Sequence, residues 1–127
     1  MSAQYLLDTS TLIWAMSAPE RLSKPALAAI ESGELVLSVA TYWEASVKSS
    51  KGLLRIGDPA VWWRLATEAM GATVLSIRAH HVAALHGLPL HHRDPFDRIL
   101  IAQAMTEGLV LVTSDACIHR YTVDVRW

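Results

Sequence analysis

The stretch His91-His92-Arg93-Asp94-Pro95-Phe96-Asp97-Arg98-Ile99-Leu100-Ile101-Ala102-Gln103-Ala104 decides how the rest of the chain is read. Asp94 followed by Pro95 is a helix start, because a short carboxylate accepts from free backbone N–H groups and proline suits the first helical position. From there Asp97, Ile101, Ala104 and Met105 fall on one helical face. A carboxylate in the first turn therefore lies on the side predicted to be buried. First-turn acids also serve the helix dipole. What gives Asp97 a further role is the arrival of other carboxylates at the same place.

Working outward, short apolar runs alternate with helical patterns. Tyr5-Leu6-Leu7 reads as a buried strand with Asp8 at its carboxyl end, and a helix starts among Thr9, Ser10 and Thr11. Pro19 stops that helix, and Lys24 to Glu31 makes a second. Leu35-Val36-Leu37-Ser38 is the next strand, followed by a helix from Val39 to Ser50 in which Ala40, Trp43, Glu44 and Val47 share a face. Asp58-Pro59 opens a helix to Met70 with Val61, Trp62, Leu65, Ala66 and Ala69 as its apolar face. Thr73 to Leu75 is a third strand, and a helix beginning at Ser76 or Arg78 runs to His86. Leu109-Val110-Leu111-Val112 repeats the first strand's pattern, ending in Thr113-Ser114-Asp115. A short helix to His119 and a strand around Val123 to Val125 close the chain. This alternation predicts an α/β fold, a three-layer α/β/α sandwich with a central parallel sheet, as one domain over residues 1–127.

Composition agrees. Apolar residues make up 52% and charged ones 18% of 127 residues, a balance for a folded core and against a disordered tail. Cys117 is the only cysteine, which excludes an internal disulfide. No signal peptide or membrane-spanning run is visible, and together these predict a cytoplasmic protein. Net charge is −1, so nucleic acid would have to be gripped by a local basic rim drawn from Lys48, Lys51, Arg55, Arg93, Arg98 and Arg120.

In a parallel sheet, ligands bind beyond the carboxyl ends of the strands where strand order reverses. Asp8 and Asp115 each follow directly on a strand, Glu44 lies within two turns of the strand ending at Ser38, and Asp97 opens the helix before Asp115's strand. Glu44 alone is explained by a pair with Lys48 four residues on. Four acids with one address are not explained that way. Two carboxylates about 4 Å apart repel by about 4 kcal/mol at a protein surface, so four require protons or a cation. With no Cys or His in the set, Mg²⁺ or Mn²⁺ is favoured over zinc, and the chemistry that follows is metal-assisted attack of water on a phosphodiester. Asp115 and Asp97 are both candidates for orienting that water.

With those residues in hand, the chain resembles the PIN-domain nucleases, and within them the VapC-type toxins of bacterial toxin–antitoxin pairs. The matching segments are Leu6 to Thr9, Trp43-Glu44-Ala45 with Lys48 and Gly52-Leu53, His92 to Arg98 with Ile101 to Ala104, and Val112 to Asp115, together with Tyr121 and Trp127. The resemblance implies a Mg²⁺- or Mn²⁺-dependent endoribonuclease acting on RNA, a homodimer, and a small antitoxin that blocks the site; the acidic wall predicts that the antitoxin inserts a basic side chain there. It carries catalytic roles onto Asp8, Glu44, Asp97 and Asp115, with Asp8, Asp97 and Asp115 as metal ligands. Ser10, Ser114 and Asp94 are expected to support those carboxylates, and Lys48 and Arg98 to contact phosphate.

Other readings fit less well. A haloacid-dehalogenase-like phosphatase wants an acid where Ser10 stands, and a receiver domain wants paired acids near the first strand and a late lysine. Zinc fits neither the spacing of the six histidines nor the lone cysteine. On this reading His80 and His81 sit on a helix surface and His91-His92 in a polar loop. A non-catalytic module that binds RNA or a partner protein is the remaining alternative.

Overall fold

A computed structural model describes residues 3–127. Five strands, β1 (Gln4–Leu7), β2 (Glu34–Ser38), β3 (Thr73–Leu75), β4 (Val110–Val112) and β5 (Val125–Arg126), form one sheet in the order β3-β2-β1-β4-β5. Every neighbouring pair is parallel. The connections carry α1 (Thr9–Ser17), α2 (Lys24–Ser32), α3 (Val39–Ser50), α4 (Pro59–Met70), α5 (Ala79–His86) and α6 (Pro95–Glu107). Single 3₁₀ turns lie at Pro19–Arg21 and Ile118–Arg120.

The two-residue period of a strand divides the core into two layers. Tyr5, Leu7, Leu35, Leu37 and Val112 point to one face, where they meet Leu12 of α1, Ala26 and Ala29 of α2, and Trp62 and Ala66 of α4. Leu6, Val36 and Leu111 point to the other, where they meet Ile99, Leu100, Ile101 and Ala104 of α6. This is the expected α/β/α sandwich. The chain steps from the central β1 outward through β2 to β3, then crosses back to place β4 on β1's other side. The reversal leaves a crevice beyond the carboxyl ends of β1 and β4.

Four expectations are corrected by packing. Met105 is exposed, and burial on α6 runs through all of Ile99 to Ala104, because α5 covers the side of α6 that the sheet does not. On α4, Val61, Leu65 and Ala69 face outward; Trp62 and Ala66 are buried, with Trp63 and Met70 completing the contact. Trp63 stacks on Tyr42 of α3 at 5.2 Å, which accounts for the rotation of α4 about its axis. His81 is fully buried between α5 and α6, where its Nδ1 accepts the Arg78 N–H at 3.0 Å. The last strand falls at Val125–Arg126, as Val123 turns inward against α6's layer. No helix among the described residues is long and apolar enough to cross a membrane.

Candidate active site

Each acid is delivered to the crevice by a local device. The Asp8 N–H donates to the Val112 carbonyl at 3.2 Å, extending the β1–β4 ladder by one residue, and its Oδ1 caps α1 by accepting from the Thr11 N–H at 2.9 Å. Ser38 caps α3 through the Ala40 N–H and donates to the buried Gln103 of α6 at 2.6 Å, tying the helix that carries Glu44 to the helix that carries Asp97. Trp43 and Phe96, the neighbours of those two acids, meet edge to face at 4.8 Å and brace the same junction. Asp94 caps α6 as expected, its Oδ1 accepting from Phe96 N–H at 2.8 Å and Asp97 N–H at 3.3 Å. Asp115 follows β4, where its N–H donates to Thr113 Oγ1 and its Oδ1 accepts from the Cys117 N–H.

The result is a cavity of about 250 Å³ lined by Asp8, Thr9, Ser10, Glu44, Lys48, Asp94, Asp97, Ser114 and Asp115. Eight of the nine residues singled out from the sequence therefore share one wall. The ninth, Arg98, does not. Its guanidinium turns away to the carbonyls of Leu85, Leu88, Pro89 and His92 and to the Tyr121 hydroxyl. Five donors in a planar fork suit that cluster of acceptors, and Arg98 is corrected from phosphate contact to loop clamp.

Electrostatics follow depth. Glu44 is nearly fully buried, yet its carboxylate meets the Lys48 ammonium at 2.7 Å and the Thr9 hydroxyl at 2.5 Å. The Lys48 ammonium is in turn pushed up, first by that hydrogen bond. Burial raises the Asp8 carboxyl above its ordinary value, against hydrogen bonds from Thr11 and Thr113 that pull it down. Asp97 is pushed up to about 7, chiefly by burial and then by Asp94, Glu44 and Asp8. Asp115 is only lightly shielded. Burial there is outweighed by the His92 and Cys117 hydrogen bonds, which hold it below its usual value.

Two residues to which the sequence reading gave no role at the site belong here. Thr9 holds Glu44, and His92 places Nε2 at 2.8 Å from Asp115 Oδ2 and 3.1 Å from Asp97 Oδ2. The signal for Thr9 was its place beside Asp8; for His92 it was the spacing to the Asp94 cap, whose N–H donates to His92 Nδ1 at 3.1 Å.

The wall is built of carboxylate and hydroxyl oxygens, and two of its carboxyls are raised, chiefly by burial. That donor set fits a hard divalent ion. A second group, His80, His81 and Glu107, lies at the far end of α6. There His81 Nδ1 accepts a backbone N–H, so Nε2 carries the ring proton and donates toward Glu107 instead of offering a lone pair. It is a hydrogen-bonded pairing of α5 with α6.

A parallel sheet in this order, with acids gathered beyond β1 and β4, defines the class: the chain belongs to the PIN-domain family, whose pattern spans residues 5–123. Among characterised relatives it is similar to ribonuclease VapC22 of Mycobacterium tuberculosis (strain ATCC 25618 / H37Rv), at 32% identity over 115 residues, 87% of this chain and 85% of the relative. The fold is also that of VapBC2 from Rickettsia felis bound to a DNA fragment from its promoter, with a TM-score of 0.72 at 13% identity over 96% of each chain. FitAcB from Neisseria gonorrhoeae has a TM-score of 0.61 at 18% identity over 95% of each chain.

Proposed function

We propose that this chain is an endoribonuclease toxin, hydrolysing RNA phosphodiester bonds with a divalent ion, Mg²⁺ or Mn²⁺, and neutralised by a cognate antitoxin. The observation that carries the reading is the convergence of Asp8, Glu44, Asp97 and Asp115 on one cavity wall. The curated relative's name supplies the ribonuclease class, and the VapBC complexes supply the antitoxin. Asp8, Asp97 and Asp115 would hold the ion, with Glu44 beside them. When bound, a divalent ion at such a wall lowers the pKa of water and neutralises charge on the leaving oxygen. The protein's own part is to align and to neutralise. Burial raises the Asp8 and Asp97 carboxyls, Glu44 is held between Lys48 and Thr9, and Ser10, Ser114 and Asp94 line the approach. Lys48, partly exposed at the rim, is placed to meet a phosphate oxygen.

Cleavage of total cellular RNA by the purified chain, with Mg²⁺, with Mn²⁺ and with chelator, tests this directly beside Asp97→Asn. Discrete metal-dependent fragments lost in the variant are expected. A folded, antitoxin-free protein that leaves RNA intact under every condition would favour a module that binds RNA or protein without cutting. We propose further that the chain acts in the cytoplasm as a single nuclease domain and as a homodimer, so light scattering should return twice the 14.0 kDa chain mass. The antitoxin should place a basic side chain against the acids, and its affinity should fall as Mn²⁺ is raised.

A further inference from the structure

We infer that His92 is a positioning residue that holds Asp115 beside Asp97 through its Nε2–H, and is not itself a ligand of the ion. The inference rests on the metal-dependent reading above. A carboxylate–carboxylate–histidine trio with donor atoms this close would ordinarily admit all three as ligands. The hydrogen bonds on the far side of the ring decide otherwise.

His92 Nδ1 lies 3.1 Å from the Asp94 backbone nitrogen, whose N–H points at it. A backbone N–H only donates, so Nδ1 is the acceptor and the ring proton sits on Nε2. Nε2 donates that proton to Asp115 Oδ2 at 2.8 Å, with Asp97 Oδ2 beside it at 3.1 Å, and the ionised Asp115 carboxylate only accepts. Both ring nitrogens thus have a partner of the complementary kind. For Nε2 to ligate, the proton would have to move to Nδ1 and oppose the Asp94 N–H, donor against donor. Metal-bound histidines hand their second N–H to a carboxylate or carbonyl; here the second nitrogen meets a donor.

The ring cannot easily turn. Its own backbone N–H donates to the Tyr121 hydroxyl at 2.9 Å, Tyr121 donates to the Pro89 carbonyl at 2.7 Å, and Arg98 donates to the Tyr121 oxygen at 3.2 Å. Asp97 arrives from α6 and Asp115 from the end of β4, so nothing local relates their carboxylates. The His92 ring, hydrogen-bonded to one and 3.1 Å from the other, does. The Asp115 oxygen has a further lone pair, so the clamp leaves it free to accept an ion.

Nitrogen-15 NMR of the ring, on the full chain at mildly alkaline pH, tests the clamp without any substitution. The expected result is an unprotonated Nδ1 and a protonated Nε2, both metal-free and saturated with Mg²⁺. A proton on Nδ1, or loss of the Nε2 proton on adding Mg²⁺, would overturn the inference. Calorimetric titration adds a second arm. His92→Ala should weaken Mg²⁺ and Zn²⁺ binding alike, by roughly 10–100-fold, and His92→Gln, which offers an amide N–H, should recover most of it. Zn²⁺ affinity collapsing far more than Mg²⁺, with no rescue by glutamine, would instead make His92 a ligand. Failure of the unaltered chain to bind Mg²⁺ at all would overturn the metal reading itself, whereas a wrong tautomer in the metal-free spectrum overturns the clamp alone.

Discussion

Asp97 and Asp115 both lie against His92, yet their carboxyl groups are shifted in opposite directions. Asp97 lies deeper, among Asp94, Glu44 and Asp8, and burial dominates; Asp115 sits at the rim, and its hydrogen bonds win. The sign of the consequence follows from proton binding. A carboxyl raised from 3.8 to about 7 binds its proton more tightly when folded, so the metal-free fold loses stability as pH rises across that window. Asp8 acts in the same direction. Asp115 acts oppositely, and its contribution is lost only as pH falls below the usual carboxylate range. Asp97→Asn should therefore stabilise the chelated protein above pH 7, by at most about 4 kcal/mol, and the gain should vanish near pH 4; urea denaturation at the two pH values measures it. Ion binding should strengthen with pH up to about 7 and then level off, because the ligands must first lose their protons. Lys48→Ala leaves Glu44 buried without its cation and should cost roughly 1–3 kcal/mol, less than a fully buried pair because the lysine is partly solvated. Arg64→Ala, which breaks an exposed pair with Glu68, should change stability by less than about 0.5 kcal/mol.

At the scale of elements, α6 sets the site. Its start is fixed by Asp94 and Pro95, and its end by Gly108, which takes a left-handed φ of 67° that L side chains rarely adopt. Nothing lies within 4 Å of a Cβ built there, so Gly108→Ala should cost only the backbone strain, about 1 kcal/mol. Gly33, between α2 and β2, is the contrast. A Cβ there would overlap the Tyr5 ring, and Gly33→Ala should cost more, roughly 1–3 kcal/mol, by forcing β1's first layer apart. The loop before α6 depends on a hydroxyl. Tyr121→Phe removes the acceptor of the His92 N–H and the donor to Pro89, and should cost about 1–3 kcal/mol. Faster amide exchange at His92 than across β1 and β4 in that variant would mark the loss as local. Equal acceleration everywhere would refute the local role given to the Tyr121 hydroxyl.

At the scale of the whole molecule, the sheet order places the acids and the helices keep water from the deepest of them. The same arrangement carries an electrostatic penalty that, on the proposed reading, an ion would relieve. Mg²⁺ at about 100 times its dissociation constant should stabilise the fold by about 2.7 kcal/mol, and Asp8→Asn should abolish that increment while leaving the chain folded. Differential scanning calorimetry with and without chelator separates the two effects.

The sequence alone determined most of the elements, the caps at Asp58 and Asp94, and the set of acids. Each depends on local periodicity or on one side chain reaching its own helix, and the carboxyl-edge rule then gave four distant acids one address. Tertiary structure decided what required neighbours far along the chain. It turned Arg98 to the loop carbonyls, rolled α4 so that Val61 and Leu65 face outward, and buried His81 against α6. It also brought His92 onto Asp115, 23 residues away. Side chains of these kinds serve equally well in solvent, in a core or on a carboxylate. Which of these they meet is fixed by packing, since a hydrogen bond needs its partner within about 3 Å and residue spacing does not carry that distance.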